Sequence, residues 1–231
     1  MIVIIIGPPG SGKGTQAELI SSTFNLYYFE TSKILERKFI EAEEDEFIEA
    51  DGEKFYIKDE KKLWETGFLC SPRFVTQLVI EKIKDLHAEG KGIIFSGSPR
   101  TLYEGRNVIP CLKNLYNIDD IKVIFLKISA DETVYRNSNR RICKLMRHPI
   151  LYSDETKGLK FCPIDGSELI KREGLDDIES IKVRIKEFEE RTLPLIDFFE
   201  EEGLSVNEIN GSNSPAQVFE EIMKFLKDDK D

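Results

Sequence analysis

The run Gly7-Pro-Pro-Gly10-Ser-Gly12-Lys13-Gly14-Thr15 constrains this chain more than any other feature. It follows a short apolar run, Ile2–Ile6, and opens an amphipathic stretch. Strand, glycine-rich loop and helix in that order are the context a phosphate-binding P-loop requires. Glycine lets backbone N–H groups turn inward onto an anion, and the helix N-terminus adds partial positive charge. The spacing assigns Lys13 to the β- and γ-phosphates of a nucleotide and the Thr15 hydroxyl to its Mg²⁺.

The rest of the chain alternates between strand and helix signals. Five short apolar, β-branched runs read as strands: Ile2–Ile6, Tyr27–Glu30, Gly92–Ser96, Val123–Ile128 and Ser205–Ile209. Between them, Phe74, Val75, Leu78, Val79, Ile83 and Leu86 recur at helical spacing, and Gly90 closes that helix. Ser129-Ala-Asp-Glu132 and Ser214-Pro-Ala-Gln217 have capping-box form. Ile178, Ile181, Ile185 and Phe188 line a further helix that Pro194 bends. The pattern predicts an α/β fold with a parallel five-stranded sheet covered on both faces. Two stretches break the rhythm. Residues 31–70 are predicted to hold no strand and include the acidic segment Glu41–Asp51, read as solvated loop; residues 139–177 carry a Cys, His and Asp patch. Both read as insertions, and long insertions in compact domains are usually functional lids.

Composition narrows the function classes. With 231 residues, 40% apolar and 33% charged, the chain has a core and is not broadly disordered. Its net charge of -10 argues against nucleic acid and anionic membranes as partners. Phosphate chemistry therefore needs a local cationic pocket. No run approaches the ~20 apolar residues that span a bilayer. Four cysteines are too few for a disulfide scaffold, which points to a reducing cytoplasm.

Lys13 is followed by Gly14, with the hydroxyl one place later than in most P-loops. In this the chain resembles the adenylate kinase family of nucleoside monophosphate kinases. The resemblance continues through Thr31-Ser-Lys-Ile-Leu35, Gly97-Ser-Pro-Arg100-Thr101, Arg136, Arg140-Arg-Ile-Cys143, Arg172, Asp176-Asp177, Arg184, Thr192-Leu-Pro194 and Asn210-Gly211. It implies a P-loop NTPase fold with a CORE (1–30, 71–138 and 178–231), an NMP-binding insertion (31–70) and a LID (139–177). It also implies a monomer that moves the γ-phosphate of Mg²⁺-ATP to AMP, reversibly giving two ADP. Such transfer rests on positioning and charge neutralisation, and the chain supplies Lys13, Arg100, Arg140, Arg172 and Arg184 for it. By the same resemblance Gly10, Ser11, Gly12, Lys13, Gly14, Thr15, Arg136, Arg140 and Asn213 bind ATP. Thr31, Arg37, Phe68, Leu69, Cys70, Gly97, Arg100, Glu104, Arg172 and Arg184 bind AMP.

Four departures bear on these expectations. The family's monophosphate-gripping Arg falls at Glu36, with Arg37 beside it, and a one-residue slip turns a helical side chain by about 100°. The family's Mg²⁺-associated Asp is Ser96. Its adenine-reading Gln is Glu104, whose ionised form only accepts hydrogen bonds and would suit guanine better. The LID of many relatives binds structural zinc; here Met146 replaces one Cys, and the resemblance implies Cys143, His148, Cys162 and Asp165 as ligands. The alternative is a pair of ordinary buried thiols in a hydrogen-bonded LID. Two further functions stay open at this stage: a kinase for GMP or CMP, and a nucleotide sensor without turnover.

Overall fold

A computed structural model describes residues 1–147, 149–172, 174 and 176–228. In chain order the elements are β1 (Ile2–Ile6), α1 (Lys13–Phe24), β2 (Tyr27–Glu30), α2 (Thr31–Glu41), β3 (Phe47–Ala50), β4 (Glu53–Tyr56), α3 (Ile57–Glu65), α4 (Pro72–Ala88), β5 (Ile93–Ser96) and α5 (Leu102–Leu115). They continue with β6 (Ile121–Lys127), α6 (Ala130–Asn139), β7 (Arg141–Cys143), β8 (Pro149–Ile150), β9 (Leu169–Ile170), α7 (Ile178–Glu187), α8 (Leu195–Glu201), β10 (Val206–Asn210) and α9 (Pro215–Asp228).

β1, β2, β5, β6 and β10 form one parallel sheet in the order β10-β6-β1-β5-β2. Every residue of β1 is buried, as a central strand covered on both faces must be. Ile2 and Ile4 join Phe29, Phe74, Phe95 and Phe199 on one face. Val3 and Ile5 join Ala17, Ile20, Val218 and Ile222 on the other. Successive strand residues alternate between these two cores. The chain leaves β1 with β5 on one side and β6 on the other. The crevice beyond the carboxyl ends at such a switch point is where ligands of open α/β sheets bind.

The caps expected from sequence are present. Ser129 Oγ accepts from Glu132 N–H at 3.1 Å. Ser214 and Gln217 exchange reciprocal bonds of 3.3 and 3.1 Å ahead of α9. Before Pro194 the backbone changes to π-helical over Phe188–Thr192, and Leu193 N–H reaches back to Phe188 O at 2.8 Å. Ile178, expected on the packed side of α7, is instead 56% exposed at its first turn.

Residues 31–70 do contain strands, contrary to the expectation. β3 and β4 pair antiparallel from Phe47↔Tyr56 to Ala50↔Glu53. Asp51 and Gly52 make the two-residue connection with φ of 52° and 75°. Two positive φ values define a type I′ turn, which Asp-Gly favours because Gly carries no Cβ to clash. The signal was overshadowed by the surrounding acidic residues. The hairpin tip docks on the core: Tyr103 Oη donates to Asp51 Oδ2 at 2.5 Å and Arg73 pairs with Glu53 at 2.8 Å. Residues 139–177 hold a three-stranded sheet, β8-β7-β9.

Gly52→Ala would force a Cβ into the left-handed region at a cost of about 1 kcal/mol. Amide exchange across the Ile48–Phe55 pair is expected to quicken about fivefold, with strands β1 and β5 unchanged. Unaltered hairpin exchange would contradict the turn assignment.

Candidate active site

The loop between β1 and α1 places Lys13 at the first turn of α1, where Nζ donates to Gly7 O at 2.7 Å and Pro8 O at 2.8 Å. The ammonium thus folds over its own loop. Arg136, on α6, ties that loop to the segment after β10: it donates to Gly211 O at 2.9 Å and to Gly10 O at 3.4 Å. Asn213, in the same segment, donates to Glu221 Oε1 at 3.1 Å.

Arg140 leaves the end of α6, while Arg172 and Arg184 flank the segment that returns from residues 139–177. All three converge on Asp176, whose side chain is 1% exposed. Arg172 grips that carboxylate through Nε at 3.1 Å and Nη2 at 2.9 Å, Arg140 Nη2 donates to it at 3.0 Å, and Arg184 Nη1 lies 4.0 Å away. Arg140 also donates to Asn137 Oδ1. Arg100 Nε donates to Gly97 O at 2.8 Å, and Thr192 Oγ1 holds the Arg100 carbonyl at 2.8 Å.

The electrostatics show that these cations share one space. Burial, then the charges of Arg100, Arg184 and Arg140, hold the Lys13 ammonium well below the ordinary lysine value. Burial first, then Arg172, Arg140 and Arg100, lowers Arg184 in the same way. Like charges crowded away from water favour losing a proton or gaining an anion. The anion is the better answer for arginine, whose guanidinium keeps its proton. Buried polar atoms point the same way: Ser11 Oγ, Thr31 Oγ1 and Arg140 Nε have no hydrogen-bond partner among the described residues.

Beside the cluster lies a pocket lined by Thr31, Leu35, Trp64, Phe68, Leu69, Cys70, Gly97, Arg100 and Glu104. Leu35, the last residue of the Thr31–Leu35 motif, and Trp64, which no motif singled out, give it an apolar wall. Burial, then Glu60, pushes the Cys70 thiol up to about 12, so it lines the wall as an apolar group. Glu104 is 3% exposed and turned into the 97–101 loop. Its oxygens accept from Ser98 Oγ at 3.3 Å, Arg100 N–H at 3.1 Å and Thr101 Oγ1 at 3.1 Å. Burial raises its pKa against those donors. The residue is therefore a loop organiser as much as a pocket wall. Arg37 does not join the pocket. It stands on the exposed side of α2, with its side chain 78% exposed, paired with Glu41 at 2.7 Å. The helical phase that places Thr31 and Leu35 inward turns Arg37 outward.

Among the expected metal ligands, Cys143, Cys162 and Asp165 bring their ligand atoms within 4.8 Å of one another. His148 lies outside the described residues. Ser96 stands at the carboxyl end of β5, and a Cβ on Gly14 would sit 3.3 Å from the Tyr28 hydroxyl. Asn137, which helps hold Arg140, carries no phosphate-binding signature, and its place emerges only from the fold; for Asp176, part of the family resemblance, the fold adds that it is the carboxylate the arginines share.

A P-loop at a parallel-sheet switch point, facing a cluster of half-buried arginines, defines a nucleotide-dependent phosphotransferase. A family model described as adenylate kinase matches residues 5–204. The chain is 31% identical over 226 residues to an adenylate kinase of Methanothrix thermoacetophila, with 98% of each chain covered. It is 30% identical over 230 residues to one from Elusimicrobium minutum, again with 98% of each covered. It is also 30% identical over 229 residues to one from Caldicellulosiruptor bescii, covering 98% of this chain and 99% of that one. The chain belongs to the adenylate kinase family.

ATP binding supplies the missing anion and raises the proton affinity of Lys13. In alkaline buffer below the ordinary lysine value, binding is therefore expected to take up protons. Calorimetry at one pH in two buffers of different ionisation enthalpy reads this as diverging apparent enthalpies. The divergence should shrink in Lys13→Met. Equal enthalpies for the wild-type protein would contradict the crowded-cation description.

Proposed function

We propose that this chain transfers the γ-phosphate of Mg²⁺-ATP to AMP, reversibly giving two ADP. The observation that carries this is the convergence of Lys13, Arg100, Arg140, Arg172 and Arg184 beside the pocket lined by Trp64 and Arg100. A hydrolase needs one nucleotide pocket and a water; a kinase for a small acceptor needs two adjoining anion sites.

In this reading the P-loop residues Gly10–Thr15 and Lys13 hold the ATP phosphates, with Arg136 and Asn213 at the base. Arg100 and Arg172 hold the acceptor phosphate, and Arg140 and Arg184 neutralise the group in flight. Thr31, Phe68, Leu69, Cys70, Gly97 and Glu104 enclose the acceptor nucleoside. The arginine forks grip phosphate oxygens in pairs, which fixes the line of transfer. Mg²⁺ arrives bound to ATP and screens the phosphate charge. Thr15 faces it from the first turn of α1, and Ser96 stands where the family resemblance places an Asp. Residues 31–70 and 139–177 act as the NMP-binding insertion and LID over a CORE of 1–30, 71–138 and 178–231, excluding water. The protein works as a cytoplasmic monomer.

The LID holds a structural zinc in this reading, with Cys143, Cys162 and Asp165 as three ligands and His148 as the fourth. The donor set fits: soft thiolates and a carboxylate gather within 4.8 Å, and Cys143 Sγ lies 2.9 Å from Asp165 Oδ2. Ser167 N–H and Oγ donate to Asp165 Oδ1 at 2.9 and 2.8 Å, which fixes the carboxylate as an outer partner should. With all four places filled by protein, the ion takes no part in the transfer.

A coupled assay of ATP against AMP, GMP and CMP is expected to favour AMP by at least ~10-fold in kcat/KM. Lys13→Met is expected to lower kcat by at least ~10²-fold with the fold intact. GMP preferred over AMP, or near-wild-type turnover of Lys13→Met, would overturn the assignment. Purified protein is expected to carry about one zinc per chain by elemental analysis. Cys162→Ser should lose it and melt at lower temperature while staying active in the cold. Metal-free wild-type protein, grown with zinc available, would leave a hydrogen-bonded LID.

A further inference from the structure

Asn137 lies in the middle of the site and belongs to none of its motifs. It is 0% exposed, in the last turn of α6. A buried primary amide must satisfy both its ends, and where they point is informative. Its Nδ2 donates to Thr133 O at 2.7 Å, which locks the side chain against its own helix. Its Oδ1 accepts from Arg140 Nη2, the guanidinium that also reaches Asp176. Its backbone carbonyl accepts from Arg140 N–H at 3.2 Å. On the opposite side the amide meets the phosphate loop: a Cβ on Gly10 would fall 2.6 Å from Asn137 Nδ2, and Gly10 has a φ of 82°. The loop backbone thus rests directly on the amide, at a glycine that leaves room for it.

We infer that Asn137 is the positioning residue that aims Arg140 at the phosphate held by the Gly10 loop. The inference rests on the phosphoryl-transfer reading above and goes beyond it by naming how loop and arginine are kept in register. Arg140 has two anchors of different kinds. Asp176 holds it with charge, and that carboxylate is shared with Arg172 and Arg184. Asn137 holds it with a neutral carbonyl, which orients the fork without subtracting from the positive charge that phosphate needs. A second carboxylate here would neutralise the cluster and repel ATP. Arg140 Nε, buried and with no partner among the described residues, stays available for a phosphate oxygen.

The test is a double-mutant cycle with Arg140, read with steady-state kinetics and thermal melting. Asn137→Leu keeps the branching at Cγ, with a somewhat larger side chain, and removes the acceptor. It is expected to lower kcat about 10–100-fold, as loss of alignment does, with the KM for ATP within about twofold. In an Arg140→Met background the same substitution should cost less than about threefold, because there is no guanidinium left to aim. An equal loss in both backgrounds would overturn the inference and leave the kinase reading standing. Full activity of Arg140→Met itself would strike at the kinase reading instead. Asn137→Asp covers the case in which the leucine variant does not fold. It keeps the acceptor and adds charge beside the loop, so the KM for ATP should rise at least about fivefold while kcat falls less than tenfold. An unchanged KM in that variant would also overturn the proposal.

Discussion

Crowded positive charge governs this molecule. Lys13, Arg100, Arg140, Arg172 and Arg184 meet at the carboxyl edge of a sheet, largely shielded from water, in a protein whose net charge is -10. Such a cluster repels itself and loses hydration, so the fold must hold it by other means. Asp176 supplies the central anion, and backbone carbonyls of Gly7, Pro8 and Gly97 accept from Lys13 and Arg100. These partners satisfy the cations only in part. Phosphate oxygens complete them, so binding and charge relief are the same event. Nucleotide phosphates can compete for a place that the protein keeps open at the expense of its own stability.

The scaffold explains how side chains so distant in sequence arrive there. β1 is buried on both faces and delivers the glycine loop to the switch point. β5 delivers Gly97 and Arg100 from the next strand, while α6 and α7 bring Arg140 and Arg184 from the other side. The two smaller sheets belong to the excursions that flank this crevice. The hairpin β3–β4 reaches back to touch Tyr103, one residue before Glu104, so residues 31–70 are braced on the same helix that supplies Glu104 to the pocket lined by Trp64 and Arg100.

Much of this was legible from residues alone, for physical reasons. β-Branched runs such as Ile2–Ile6 and Val123–Ile128 fit buried strands, the second observed as Ile121–Lys127, and glycine or a capping serine marked their neighbours. The cluster arginines were legible because their family spacing is unusual for solvated charge. The β3–β4 hairpin was not, since its exposed Glu and Lys residues hid the alternation that Phe47, Phe55 and Asp51-Gly52 carry. Arg37 points away from the pocket because neighbours on a helix face different ways, and sequence cannot say which phase the packing selects. Asn137 reads as one polar residue on an amphipathic helix. Only its contact with a loop far away in the chain gives it meaning. Glu104 likewise gained its loop-organising place from Ser98 and Arg100, whose backbone path the sequence does not disclose.

The account stands on transfer between two bound nucleotides rather than to water. Phosphorus NMR of the protein with ATP, AMP and Mg²⁺ follows both fates in one tube. The account predicts that ATP and AMP signals fall together as ADP grows toward equilibrium, with inorganic phosphate at background. Phosphate released in step with ATP loss, or ATP and AMP unchanged after prolonged incubation, would contradict it.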